Sequence, residues 1–350
     1  MIKPEKQFYI FGMGHREKMI YKNGKLTSFK TNEILYSFDV LKEKFLFDRY
    51  MVVIWTKNDE IYIIKENEDG IFVVQTSKDE KDIISETCLC ASKINLPSFE
   101  EYKYPEQLRI LHQEILTSFI DKMPVPNIYV YDTAWYRDSA MMALALEKTG
   151  NIELLRDWAL SVVEIYDKNN MGNCEPDNLG QLAFVLSFFV DKDYFLIKEI
   201  VYEAQRIIKD GALTGITDYG HHEIYSTLWL KYALDRLDID TSFIKIPNDF
   251  DNYARMFWMD RTGIERQTPY KNDYNDKYPY LWWAVKHFEN EKIDPKYLEI
   301  KYPMSWEQEA SEAKYEKIVP LSQIYADEKF SAPHSWHASE MFLYLIEMRK

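Results

Sequence analysis

The chain has 350 residues, 46% of them hydrophobic, enough for a large core in one big domain or two. A formal net charge of −14 argues against a nucleic-acid backbone as partner and against docking on anionic membranes. Cys88, Cys90 and Cys174 show no framework spacing, no apolar signal core opens the chain, and no charge-free run is long enough to span a membrane; reduced thiols and a cytoplasmic location are expected.

Residues 1–104 read as a β-rich domain. Phe8-Tyr-Ile-Phe, Lys18-Met-Ile-Tyr, Tyr50-Met-Val-Val-Ile-Trp, Ile61-Tyr-Ile-Ile and Ile71-Phe-Val-Val are short β-branched and aromatic runs. Turn residues separate them, and Asn23-Gly24 is a strong hairpin signal. Gly12-Met13-Gly14-His15-Arg16 lacks the spacing and the Lys-Ser/Thr of a phosphate loop, so it reads as a turn. Pro97 to Pro105 looks like the join.

Residues 105–350 read as helical. The spacing predicts helices near 106–121, 137–149, 152–168, 178–191, 193–210, 221–237, 252–260, 278–290, 304–316 and 335–349, with short ones near 294–300 and 319–328. Ser139 to Leu146 and Leu179 to Val190 are almost wholly apolar and ask for burial on all sides. Ile152 to Tyr166 and Tyr194 to Ile208 are amphipathic. Buried inner helices paired with half-exposed outer ones describe a toroid of helical hairpins.

Each inner helix is prefaced by polar or acidic residues: Asp138; Glu175-Pro-Asp177-Asn178; Thr217-Asp218-Tyr-Gly-His221-His222-Glu223; Asp273-Tyr-Asn-Asp276-Lys-Tyr278-Pro; and Pro333-His-Ser-Trp336-His337. In a toroid these amino ends gather at one mouth, which would bring Arg137, Asp138, Glu175, Asp177, Asp218, His222, Tyr278 and Trp336 around one funnel. Capping explains some of the acids, and Asn178 with Gln181 has capping-box spacing; it does not explain the tryptophan and histidine beside them. Neighbouring histidines point about 100° apart on a helix, so His221 and His222 are not expected to share a metal. No metal or cofactor is expected.

Trp135-Tyr-Arg137-Asp138-Ser-Ala resembles the Trp-x-Arg-Asp-[Ser/Ala] segment of the six-hairpin, (α/α)6-toroid glycosidases, especially the glucoamylase-like group. Pro333-His-Ser-Trp336-His337-Ala338-Ser-Glu340 is similar to that group's Pro-x-x-Trp-Ser-His-Ala-Glu stretch, with a one-residue shift. The resemblance implies that Arg137 and Asp138 hold sugar hydroxyls. It places the catalytic acid in Cys174-Glu175-Pro176-Asp177, where the group's Trp-Glu-Glu lacks its tryptophan here; Glu175 is preferred over Asp177. It places the base in Ser305-Trp306-Glu307-Gln308-Glu309, with Glu307 as candidate, although residues 305–317 are too polar for an inner helix.

The expected fold is therefore mainly α: an (α/α)6-like toroid over residues 105–350, preceded by the β-rich domain over 1–104. The expected function is hydrolysis of a glycosidic bond in a small glycan. Glu175, Asp177 and Glu307 are the catalytic candidates, and Trp135, Arg137, Asp138, Asp218, His222, Tyr278, Trp336 and His337 the substrate-binding ones. The expected partner is a small carbohydrate, with no nucleic acid and no membrane; the sequence does not give the oligomeric state. Two other classes remain. One is a lyase, epimerase or phosphorylase on the same fold, with Tyr219, His222 or Tyr225 as a lyase's base. The other is a non-catalytic glycan-binding or scaffold protein.

Overall fold

The computed structural model describes residues 7–79, 81–129, 131–218, 220–247, 298–307 and 332–350. Strands come first. β1 (Phe8–Phe11), β2 (Met19–Lys22), β3 (Lys25–Ser28) and β4 (Ile34–Ser37) form a four-stranded antiparallel sheet in sequence order. β5 (Val40–Leu46), β6 (Met51–Thr56), β7 (Ile61–Glu66), β8 (Gly70–Thr76) and β9 (Ile83–Ala91) form a five-stranded one, also in sequence order. Asn23 and Gly24 join β2 to β3 with φ of 48° and 74°, the left-handed pair that a tight hairpin requires.

Helices follow: α1 (Pro105–Thr117), α2 (Tyr136–Lys148), α3 (Arg156–Ser161), α4 (Asp177–Leu186), α5 (Phe195–Ile207), α6 (Glu223–Arg236) and α7 (Ser335–Leu345). Two-residue strands lie between them. β10 (Phe119–Ile120) pairs with β11 (Met123–Pro124), β12 (Ile208–Lys209) with β13 (Ala212–Leu213), and β14 (Trp306–Glu307) with β15 (Ala332–Pro333). Among the described residues no helix is long and apolar enough to cross a membrane.

This architecture overturns the mainly-α toroid. Nine strands in two antiparallel sheets occupy the first 91 residues, so strand and helix both carry the fold, and the described helices do not make six hairpins. The predicted outer helix over 152–168 is a 3-10 turn, Ile152–Leu155, followed by the six-residue α3. After it Val162 turns extended, and the Asp167 carboxylate draws the chain away by accepting from the backbone N–H of Tyr136 and Asn169. Within the expected helix 304–316, Trp306 and Glu307 are extended and paired. The helices expected at 252–260, 278–290 and 319–328, and most of 294–300 and 304–316, lie outside the described residues.

The chain divides into two compact units. One comprises Met1–Asp132, Ala145–Asn151 and Asp294–Lys350. Both large sheets belong to it, with α1 packed on α7. Tyr9, Phe47 and Tyr302 form an aromatic knot there, with centroids 4.9–6.0 Å apart. Buried Glu114 on α1 holds the segment before β14 by accepting from the N–H groups of Met304 and Ser305 and from the Ser305 hydroxyl. Burial pushes its carboxyl up to about 7 against those donors.

The second unit comprises Thr133–Leu144 and Ile152–Ile293. Its core is α4 packed against α6, with Phe184 among Trp229, Tyr232 and Phe188. Gly180 allows the approach: a Cβ there would collide with the Trp229–Leu230 backbone. α5 lays an amphipathic face on α4, burying Leu196, Ile197, Ile200 and Ala204.

Candidate functional site

The second unit gathers its acids where α4 begins. Asp177 is the first residue of α4, and Pro176 before it has helical backbone angles. Proline suits the start of a helix, since its missing N–H has no acceptor to lose there. The helix thus carries Asp177 at its positive end, with Glu175 two residues ahead. Arg137, in the first turn of α2, completes the group. Exposure of Arg137, Glu175 and Asp177 is 4%, 1% and 0%.

One guanidinium nitrogen, Arg137 Nη1, lies 3.5 Å from Asp177 Oδ2 and 3.9 Å from Glu175 Oε2. These are ionic approaches rather than short hydrogen bonds. Asp177 Oδ2 accepts from Gln181 Nε2 at 2.8 Å, one turn along α4, and Oδ1 accepts from the Thr217 hydroxyl at 3.2 Å. Gln181 Nε2 also donates to the Tyr225 hydroxyl on α6 at 3.3 Å, and Thr217 shares a hydrogen bond with Ser226. Glu175 Oε1 accepts from Asn170 Nδ2 at 3.0 Å and, in a short bond, from the Asp218 N–H. Asn170 Nδ2 also donates to the Asp218 carbonyl at 3.1 Å. Asp218 has a left-handed φ of 58°, and Thr217 pairs with Gly220 across the turn.

Burial pushes the Asp177 carboxyl from an ordinary 3.8 up to about 6. The Arg137 charge opposes this, the Glu175 charge adds to it, and the Gln181 hydrogen bond opposes it. Burial raises Asp167 as well. Two buried acids share one arginine, and the surplus negative charge is what a retained proton relieves.

Of the other expected binding residues, Trp135 is half-buried with the Arg137 guanidinium 5.6 Å from its ring centre. Asp138 is buried in the first turn of α2. Asp218 reaches Glu175 through its backbone rather than its carboxylate. His222 is half-exposed at the start of α6. Trp336 and His337 belong to the first unit, on α7, with ring centres 6.1 Å apart. Glu307 lies in β14 of that unit, where only its backbone is described. Tyr278, Asp273, Asp276, Glu309 and Tyr219 lie outside the described residues.

The capping box read from Asn178 and Gln181 does not form. The helix starts one residue earlier, at Asp177, whose carboxylate takes the Gln181 amide, while Asn178 Oδ1 accepts from the Asp167 N–H. Asn170 emerges only from the structure; Thr217 stood in the polar preface of α6 and Gln181 in the expected capping box, but their bonds to Asp177 were not read. Among the described residues, no three His, Cys, Asp or Glu side chains are placed to hold a metal ion, and all three cysteines are free.

Comparison with protein-family models, with curated proteins and with solved structures gave no match.

Proposed function

We propose that this chain hydrolyses a glycosidic bond in a small cytoplasmic glycan, with chemistry centred on Asp177 and Glu175. The observation that supports it is Asp177: a buried acid pushed to about 6 beside an arginine and a second carboxylate. Glycoside cleavage needs one carboxylic acid to protonate the leaving oxygen and one carboxylate on the other step. Asp177 gives its proton to the glycosidic oxygen as the bond to the anomeric carbon breaks. Water attacks that carbon, and Glu175 takes the proton it loses. This assignment reverses the preference for Glu175 as acid. Trp135 supplies an aromatic face beside the arginine, and Arg137 and Asp138 are the sugar-holding residues implied by the glucoamylase-like resemblance.

One feature favours a second reading, a structural anchor without chemistry: both oxygens of Asp177 already accept from protein donors. A screen of labelled oligosaccharides separates the two. The hydrolase reading expects product release by the wild type, lost in Asp177→Asn and Glu175→Gln. No release from any glycan, or undiminished release by either variant, rejects that assignment and favours the anchor.

A further inference from the structure

The five-stranded sheet of the first unit has two unlike faces. Val52, Ile54, Ile64 and Ile71 point to one of them and are fully buried. The other face is open. Trp55, Ile63 and Phe72 on it are only half-buried, Cys88 at its β9 edge is exposed, and Ile83 beside it keeps 61% of its surface in water. Among the described residues, the ion pairs and ring contacts of this face stay within the sheet. Lys42 Nζ lies 5.1 Å from the Trp55 ring centre, Lys65 Nζ 5.6 Å from that of Phe72, and Lys65 pairs with Glu86 at 2.8 Å. A sheet face meant for water alternates to polar side chains. This one stays apolar at its centre, as a docking surface does.

The strand register orders its charges. Directly opposite residues form a middle row from β5 to β9: Lys44, Val53, Ile63, Val74 and Glu86. A cation stands at one edge, an anion at the other, and three aliphatic residues lie between.

We propose that this face docks a second copy of the chain, as a sheet-on-sheet dimer about a two-fold axis running along β7. The row decides the occupant. Such an axis turns the sheet left for right, so β5 of one copy lies over β9 of the other. Lys44 then faces Glu86 of the second copy, Val53 faces Val74, and Ile63 meets its own counterpart on the axis. Packed sheets lie about 10 Å apart, a gap the two long charged side chains close from both sides. Lys65 also belongs to β7, but its bond to Glu86 draws it off the axis, in opposite directions in the two copies. The area suffices. Five strands about 4.8 Å apart, with about seven residues each at about 3.3 Å, cover roughly 24 Å by 23 Å. Two such faces remove about 1,100 Å² from water, just above the roughly 1,000 Å² a specific interface needs. The β9 edge itself is a poorer docking surface, because its register with β8 shifts at two places and blunts strand addition there.

The face shares no residue with the Arg137 group, so its test is independent of the hydrolase reading. Sedimentation equilibrium of the full chain is the experiment, and a concentration-dependent dimer in the micromolar range is expected. Lys44→Glu and Glu86→Lys each bring like charges together twice per dimer and should each weaken dimerisation at least about tenfold. An equimolar mixture of these two variants should regain it, because every edge contact then joins a glutamate to a lysine. Isotope labelling of one variant lets native mass spectrometry count the mixed dimers. Both residues are exposed, so both variants keep the fold. Ile63→Glu sets two carboxylates on the axis and should leave the chain monomeric. A wild type that stays monomeric, which would give the face to a different protein, overturns the proposal. So does a dimer that withstands both charge variants, or a mixture that stays as monomeric as its parts.

Discussion

Two buried arginines organise the two units, and they differ in how many acids each faces. Arg16 serves one. Its Nη1 donates to Glu66 at 2.9 Å, and its other contacts are the carbonyls of Asn67, Glu68 and Ser92. Glu66 in turn accepts from the N–H groups of Gly12 and Met13. Burial leaves that carboxyl raised on balance, with Arg16 and the two backbone donors opposing the rise only in part. The result is a one-to-one ion pair that pins the 12–16 turn to the end of β7. Arg137 faces Glu175 and Asp177 at longer range, and its charge also reaches Asp167. Burial raises the Asp177 carboxyl to about 6, Arg137 pulls it down only in part, and the Glu175 charge adds to the rise. Arg16 fixes a turn through short hydrogen bonds, whereas Arg137 meets its acids only at ionic distance, and burial there gives Asp177 a proton near neutral pH.

The largest expected effect tests the Arg16 side. Arg16→Met leaves Glu66 buried without its cation and should cost about 3–5 kcal/mol in urea unfolding. A loss under about 1 kcal/mol would show that the backbone donors alone satisfy Glu66. Next comes the Arg137 side. Asp177→Asn should lower turnover by at least about 100-fold, the scale of a lost proton transfer. It should change stability by under about 1 kcal/mol, since the amide oxygen still accepts a hydrogen bond. Unchanged turnover would place Asp177 among structural residues.

The pH response sharpens the contrast further. The folded-state pKa of Asp177 lies above its unfolded value, so the folded state holds the extra proton between the two. Its contribution to stability is fully present below about 4 and is lost as pH rises through about 6. Thermal melts across that window should fall more steeply for wild type than for Asp177→Asn. Glu114 and Glu340 slope the same way at higher pH, so the difference between variants is the readout. An identical slope would deny the shift. The smallest expected effect belongs to Asp138→Asn. Asparagine suits a helix start about as well as aspartate, so folding should be nearly unchanged. Sugar affinity should fall several-fold, because a charge-assisted bond is roughly twice as strong as a neutral one. Unchanged affinity removes Asp138 from the site.

Much of the local structure was legible in the sequence. The Asn23-Gly24 hairpin, the strands β1, β2, β6, β7 and β8 and the apolar run of α4 each follow from one local rule; β4, β5 and β9 were not read from the sequence. The arrangement of the helices was not legible. Ile152 to Tyr166 has helical periodicity, yet Asp167 bonding to Tyr136 and Asn169 bends the chain after Ser161, a choice made by residues distant in sequence. The 304–307 segment is fixed by Glu114, some 190 residues earlier. At the site, the Glu175–Asp177 pair stood out because two acids flank a proline at a helix start. Asn170 did not, and Thr217 was read only as part of the preface to α6, because their bonds to the acids arise where two loops meet.

The claim that two acids share one arginine and leave a proton on Asp177 is tested most directly by following its carboxyl carbon by NMR across pH. Wild type and Glu175→Gln, each labelled with 13C-aspartate, would be compared, with Asp177→Asn assigning the signal. The account predicts a midpoint of about 6 in the wild type, moving down when Glu175 loses its charge. A midpoint near the ordinary 3.8, or one that ignores the Glu175 substitution, would contradict it.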